Sequence, residues 1–276
     1  MLEFDEVGYW SQIKLDFVKK YAAAYSRIMA AQKQPSFEPV YIDAIASAGV
    51  HLSRGSRTFI PGSPVNILLI TPGFYRYYLI DVRAEKTSAL KQMVADNPKV
   101  SIIPGNLNDA LTNKVFPHVQ WNQYRRGLCL LDPYGLHLDW KVLEAAGKLK
   151  TLDVVLSFPV TDVNGNALWR NPAEPSRIDL EQLSRYWGDD SWKSVSYKSP
   201  LDSSGRSTKT DMETIAAAFR ARLQGAAGFK HVLEPMPMRG SKGALSYYLF
   251  FASQKPLADE ILTEIFDTYK GRGAGW

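Results

Sequence analysis

Cysteine is nearly missing from this chain of 276 residues, where Cys129 stands alone. One thiol cannot close an internal disulfide or build a cysteine-based zinc or iron–sulfur centre. Histidine is also scarce. His51, His118, His137 and His231 lack the His-Glu-x-x-His spacing, so no metal site is expected. No run approaches the roughly 18 apolar residues of a membrane span, so no membrane partner is expected. The opening MLEFDEVGYW has three acids and no cleavable hydrophobic stretch, so no secretory leader is expected. With the lone cysteine, this points to a reducing, cytoplasmic setting. There is no Gly-x-Ser-x-Gly elbow, no Gly-Lys-Ser phosphate loop and no internal repeat. Nor does one sign of charge dominate: 33 Lys and Arg stand against 28 Asp and Glu, a net +5. That excess permits a nucleic-acid partner without requiring one.

What is present is a folding composition, 45% hydrophobic and 12% aromatic. The first periodic segment, Trp10–Gln32, places Ile13, Phe17, Tyr21, Ala24 and Ile28 three or four apart, with Lys14, Lys19 and Lys20 turned elsewhere. An amphipathic helix packed on the core is expected over 1–36, capped near Ser11. Short apolar strands follow at Pro39–Ile45, Arg76–Val82, Lys99–Gly105, Gly127–Pro133 and Leu152–Pro159, separated by helical stretches. They are too continuously apolar for a sheet with one wet face, so crossover helices should cover both faces of a parallel sheet. Two capping boxes, Ser176–Asp179 and Thr210–Glu213, open further helices. The last two strands, Phe229–Pro237 and Ala244–Gln254, are joined by a link too short for a crossover helix and must be antiparallel. Residues 37–276 therefore read as one α/β domain around a doubly wound, seven-stranded mixed sheet with its last strand antiparallel. A helical insertion is expected at about 161–228. This arrangement resembles the methyltransferase version of the Rossmann-like sheet. A dehydrogenase would want a Gly-x-Gly-x-x-Gly after the first strand, and none is there.

In such a sheet the loops at the strand C-termini face one crevice. After the first strand come Asp43, Ala44, Ile45, Ala46, Ser47, Ala48 and Gly49, small enough to let a cofactor lie close, though equally suited to a tight strand–helix turn. Asp81 ends the second strand, where a carboxylate can accept both hydroxyls of a ribose. Asn106, Asn108 and Asp109 follow the third and could read an adenine edge. Gly55–Pro64, with two glycines and two prolines, is long enough for a lid or a partner-binding loop, and Arg54 and Arg57 there could meet phosphates.

Asp132-Pro133-Tyr134-Gly135 follows the fourth strand. Asp132 and the Pro133 carbonyl could hold the protons of a planar amine and stabilise the positive charge that develops on its nitrogen as it takes up a methyl group. Tyr134 could stack on the ring, worth about 1–3 kcal/mol for a nucleic-acid base. The same four residues also make a good turn.

Several short stations now stand in order. They are Trp10-x-x-Ile13-Lys14-Leu15, Tyr41-Ile42-Asp43-Ala44, Gly62-Ser63-Pro64 and Tyr77-Tyr78-Leu79-Ile80-Asp81. Further along are Leu131–Leu136, Ser157-Phe158-Pro159-Val160, Arg185–Trp192 and Tyr247–Ala252. Together they resemble the three-Cys-motif partner proteins (TcmP), which have a class I methyltransferase-like fold. The resemblance runs from Trp10 to about Phe266. It implies S-adenosylmethionine as cofactor, held by Asp43, Ala44, Ser47, Gly49, Asp81, Asn106 and Asp109. It also implies a three-cysteine partner similar to radical-S-adenosylmethionine enzymes. The Asp-Pro-aromatic-Gly loop is similar to that of tRNA guanine-N2 methyltransferases, which implies a base amine as acceptor, with Asp132, Pro133 and Tyr134 catalytic. Two positions depart from the family pattern: Ser47 stands where Gly is expected, and Asn106 where the third loop would carry Gly-Asp. A serine at positive φ costs about 1 kcal/mol or more. A non-catalytic module that keeps the fold to bind a partner or nucleic acid is the competing expectation.

Overall fold

The computed structural model describes residues 5–94, 97–168, 176–197, 209–239, 243–256 and 260–265. Its first elements are β1 (Glu6–Val7), α1 (Tyr9–Ala31), β2 (Glu38–Asp43), β3 (Val50–Ser53), β4 (Phe59–Pro61) and α2 (Ser63–Leu68). Next come β5 (Arg76–Asp81), α3 (Ala84–Val94), β6 (Val100–Pro104), and α4 (Leu107–Asp109), which runs on as a π-helical turn over Ala110–Val115. Then follow β7 (Arg125–Leu131), α5 (Trp140–Leu149), β8 (Leu152–Phe158) and α6 (Val160–Asp162). The chain continues through α7 (Arg177–Trp187), α8 (Trp192–Ser196), α9 (Met212–Gly225), β9 (His231–Val232), β10 (Met236–Arg239) and β11 (Leu245–Ser253). Residues 260–265 are again helical.

The main sheet runs β10-β11-β8-β7-β2-β5-β6, with β9 beside β11. The five central strands β6, β5, β2, β7 and β8 are parallel. β11 lies between β8 and β10 and is antiparallel to both. Among the described residues the sheet has eight strands rather than seven because the expected run Phe229–Pro237 breaks near Glu234-Pro235. His231–Val232 pairs with the end of β11 and Met236–Arg239 with its beginning. Proline lacks the N–H that a continuous ladder needs.

Alternation along the strands sorts the core into two layers. Val40, Ile42, Cys129, Leu131, Val154 and Leu156 face α5, α7 and α9. Tyr41, Leu79, Leu128, Leu130 and Val155 face α1, α2 and α3. Burial pushes the Cys129 thiol pKa upward, so it stays a small apolar group. On one layer, Phe219 of α9 meets the rings of Trp140, Phe158, Tyr186, Trp187 and Phe250 at centroid distances of 4.8–5.8 Å. Tyr186, Trp187 and Trp192 are thus packing residues, each at most 2% exposed.

On the other layer α1 contributes Ile13, Phe17, Tyr21 and Tyr25, one long stripe at i, i+4 spacing. Tyr21 also donates to Asp153 at 2.7 Å. The helix starts at Gly8, with no side-chain cap, rather than near Ser11. Lys14 is not on the solvent side with Lys19: it is 8% exposed and points under the helix. The Ser176 cap of α7 forms as expected, whereas α9 is capped by Asp211, one residue after Thr210.

A second, small sheet, β1-β3-β4, was not expected. Glu6 and Val7 align with Leu52 and Ser53, and β4 turns the segment Gly55–Pro64 into part of a hairpin. Arg54 and Arg57 ion-pair with Glu6 there. This sheet brings the residues before α1 over the C-terminal ends of the parallel strands.

Candidate functional site

The chain leaves β2 towards β5 and β6, then returns to β7 on the other side of β2. The point where the order reverses lies above Asp43 and Asp132, and open α/β sheets form their crevice there. A cavity of about 220 Å³ occupies this place, lined by Ser47, His51, Ser63, Asp132, Pro133 and Tyr134 below, and by Asp5 and Lys14 above.

The loop after β2 is stitched between its neighbours. The Ala44 N–H donates to the Leu130 carbonyl at 3.0 Å and the Ala46 N–H to that of Ile80 at 2.8 Å. The Ser47 N–H then donates to the Asp81 carboxylate at 2.9 Å. Ser47 adopts φ 55°, the left-handed conformation that favours glycine, and its hydroxyl donates to Asp5. Gly49 has φ 80°, and a Cβ there would lie 2.9 Å from Met93 Sδ. Asp81 is fully buried; its other oxygen accepts the Arg83 N–H at 2.9 Å.

Asp43 is also fully buried and accepts the hydroxyl of Ser63, with the Tyr41 hydroxyl and the Ile45 N–H at 3.3 Å. Burial pushes its carboxyl up to about 6 against the Ser63 and Ile45 hydrogen bonds, and the charge of Asp132 adds to the rise. Asp132 has the opposite balance. Burial raises its pKa, but the ammonium of Lys14, which donates to Oδ2, holds it below the usual carboxylate range. Lys14 sits 5.2 Å from the centre of the Tyr247 ring, a cation–π contact on the side of β11. Its own pKa stays above the ordinary value: burial lowers it, and Asp132 more than compensates.

Asp5 is the second anchor of the roof. It takes the Ser47 hydroxyl, Lys86 Nζ at 3.1 Å and the Arg83 guanidinium at 3.4 Å. Arg83 lies 5.0 Å from the Tyr134 ring centre and also bonds its hydroxyl. Burial pushes the Tyr134 hydroxyl up to about 12, although the Arg83 charge opposes the rise. Between the two anchors His51 carries a buried Nδ1 with no hydrogen-bond partner among the described residues. Burial is the first cause that lowers its pKa, and the charges of Lys14 and Lys86 add to it.

Of the ten residues singled out from sequence, Ser47, Asp132, Pro133 and Tyr134 line this cavity, with Asp43 beneath Ser63, and Ala44, Gly49 and Asp81 in and under the loop. Asn106 and Asp109 lie apart from its lining. Asn106 caps α4 by accepting the Asn108 N–H at 2.8 Å, and exposed Asp109 accepts the Asn113 amide at 2.6 Å. Asn108 is turned inward to the loop before α5, donating to the His137 carbonyl at 2.9 Å. Asp5, Lys14, His51, Ser63, Arg83, Lys86 and Tyr247 were not named as site residues from sequence. Lys14, Ser63 and Tyr247 did stand within the short stations, which was the available signal.

No protein-family model matches the chain, and no curated protein matches it. Solved structures resemble it distantly. A protein of the DUF519 family from Legionella pneumophila is 13% identical at TM-score 0.45, with 94% of this chain and 93% of that chain covered. A candidate methyltransferase from Thermobifida fusca is 12% identical at TM-score 0.41, covering 87% of this chain and 81% of its own. A candidate S-adenosylmethionine-dependent methyltransferase from Listeria monocytogenes is 12% identical at TM-score 0.41, covering 85% and 98%. The likeness of these solved structures to the mixed α/β sheet of this chain is distant. Likeness this low carries no functional argument; the geometry of the cleft has to carry it.

That geometry joins an ionised carboxylate, an aromatic face and an imidazole nitrogen unpartnered among the described residues in one small space, with a second carboxyl fully buried beneath Ser63. Such a set can seat a cationic or proton-donating amine and orient a flat ring.

Proposed function

We propose that this cleft binds S-adenosylmethionine and presents an amine to it, as a methyltransferase-like protein of the class I kind. The observation that carries the reading is the seat of Lys14. An alkylammonium rests on the Asp132 carboxylate beside an aromatic ring, where an acceptor amine would have to lie. Asp132 would hold the protons of that amine, the Pro133 carbonyl would share them, and Tyr134 would stack on a base ring. The bound group would supply the electrophilic methyl carbon. The acceptor class we favour is an exocyclic amine of a nucleic-acid base, supported by the Asp-Pro-aromatic-Gly loop. The resemblance to three-Cys-motif partner proteins supports a three-cysteine protein as companion.

The floor of the cleft fits the group better than its roof. Gly49 supplies the positive-φ turn of the loop, and His51 has a buried nitrogen without a partner among the described residues. Above them, Asp5 and Lys14 leave about 220 Å³. Ligand sites begin near ~300 Å³. Residues 5–14 must therefore lift for the cofactor to enter. Calorimetric titration with S-adenosylhomocysteine tests this on the natural chain and on Asp5→Asn, which loosens the roof while keeping its hydrogen-bonding shape. Binding at least tenfold tighter in Asp5→Asn is expected. No heat at millimolar ligand from either folded protein would overturn the reading.

A second reading has its own support. Ser47 places a side chain into the loop, and both oxygens of Asp81 are already bonded, by Ser47 and Arg83. A module that keeps the fold to hold a partner would look the same. Stable co-purification with a three-cysteine protein in the absence of cofactor affinity would favour it.

A further inference from the structure

At the opposite end of the parallel strands, where β7 and β8 begin, lies a larger cavity of about 310 Å³. Its walls are mostly apolar, formed by Tyr25 and Met29 of α1 with Phe37, Trp121 and Leu152. Of the four charged residues that break this surface, Arg126, Lys150, Asp153 and Lys255, Arg126 is the buried one. Arg126 is 8% exposed, and its guanidinium lies between the rings of Phe37 at 4.4 Å and Trp121 at 3.8 Å. Among the described residues its side chain donates one hydrogen bond, to the carbonyl of Arg125 at 2.7 Å. Among the described residues no carboxylate lies within ion-pair distance of it.

The neighbouring residue shows the contrast. Arg125 is paired with Glu38 at 2.9 Å. Asp153, which lines the same cavity, takes the hydroxyls of Tyr21 at 2.7 Å and Ser253 at 2.6 Å instead. Among the described residues one of the five N–H donors of Arg126 is bonded and none of its nitrogens is both buried and unpartnered, so the remaining donors stay open to solvent or to a ligand. Burial lowers its pKa from the ordinary value. Stacking between two rings holds the plane in one orientation, which is how arginine is prepared for a bidentate partner. Lys150 and Lys255 at the cavity add positive charge.

We infer that this cavity is a binding site for a small monocarboxylate with an aromatic or apolar body, its carboxylate paired with Arg126 and its body packed between Trp121 and α1. The site is separate from the cleft above Asp132 and does not depend on methyl transfer. The volume suits a compact ligand rather than a nucleotide.

The test uses the whole chain and two probes of equal shape, 3-phenylpropionate and 3-phenylpropionamide, in calorimetric titrations. The acid should bind at least tenfold more tightly than the amide. Arg126→Met, similar in volume and uncharged, should erase that difference, and Arg126→Lys should restore only part of it because an ammonium lacks the planar fork. Equal affinity of acid and amide for the natural chain would overturn the assignment. So would the absence of heat from the acid at ~10 mM, well above the millimolar range where a small ligand of this kind should saturate. The comparison on the natural chain needs no variant, so it stands even if Arg126→Met folds poorly.

Discussion

Replacing Lys14 by Met isolates the role of the ammonium under α1. Methionine keeps most of the aliphatic stem and its packing against Tyr247, but leaves Asp132 without its cation. Removing one partner of a fully buried pair costs about 3–5 kcal/mol, whereas fully exposed pairs contribute ~0–1 kcal/mol. The Asp132 side chain is 34% exposed and that of Lys14 is 10% exposed, so water offsets part of the loss and about 2 kcal/mol is expected at neutral pH. For a chain of this size that lowers Tm by about 4–8 °C. The sign with pH follows from the direction of the Asp132 shift. Its folded pKa is depressed, so the pair contributes fully above the unfolded carboxylate value of ~3.9 and fades as pH falls through the lower folded value. The difference between Lys14→Met and the natural chain should therefore be largest at pH 7 and shrink below pH ~4. Urea unfolding at the two pH values measures it. A gap of the same size at both, or none at pH 7, would refute the claim that the carboxylate depends on this lysine. Lys14→Met combined with Asp132→Asn should recover most of the loss, because no unpaired charge remains.

Two further outcomes follow from the packing and the buried acid. Gly147 lies in α5 with the Ala227 carbonyl only 1.8 Å from where a Cβ would sit. Gly147→Ala should destabilise by about 3 kcal/mol or more in chemical denaturation, despite the better helix propensity of alanine, and a neutral result would contradict that close approach. Asp43, with its carboxyl raised to about 6, favours the folded chain while protonated and loses that contribution as pH rises from ~4 to 6. Thermal melts of Asp43→Asn should be flatter across that interval than those of the natural chain; an unchanged slope would mean that another group titrates there.

The parallel strands were readable because burial on both faces forces continuous apolar runs, as in the Gly127–Leu131 segment of β7. The insertion of β11 between β8 and β10 was not, since local pattern tells that a hairpin is antiparallel but not which neighbour its second strand takes. The small sheet escaped because β1 contributes two residues and pairs with residues more than forty positions away. At the cleft, the acids at strand ends were legible from position alone. Lys14 was misassigned by periodicity: an amphipathic count treats every lysine as solvated, whereas a carboxylate at the end of a neighbouring strand can reverse that. Asp5, similarly, has no local signal; its part depends on Ser47, Arg83 and Lys86, which the chain brings together only once folded. Asn106 and Asp109 show the converse, polar residues after a strand that the helix start itself uses.

Phe219 sits where α5, α7, α9, β8 and β11 all meet through their aromatic side chains. Elements that share one keystone ring cannot loosen one at a time, since freeing any of them strips contacts from the others. This half of the molecule should thus open as one cooperative block, leaving the segment before α1, held over the cleft through Asp5 by Arg83, Lys86 and the Ser47 hydroxyl, as the part able to breathe on its own.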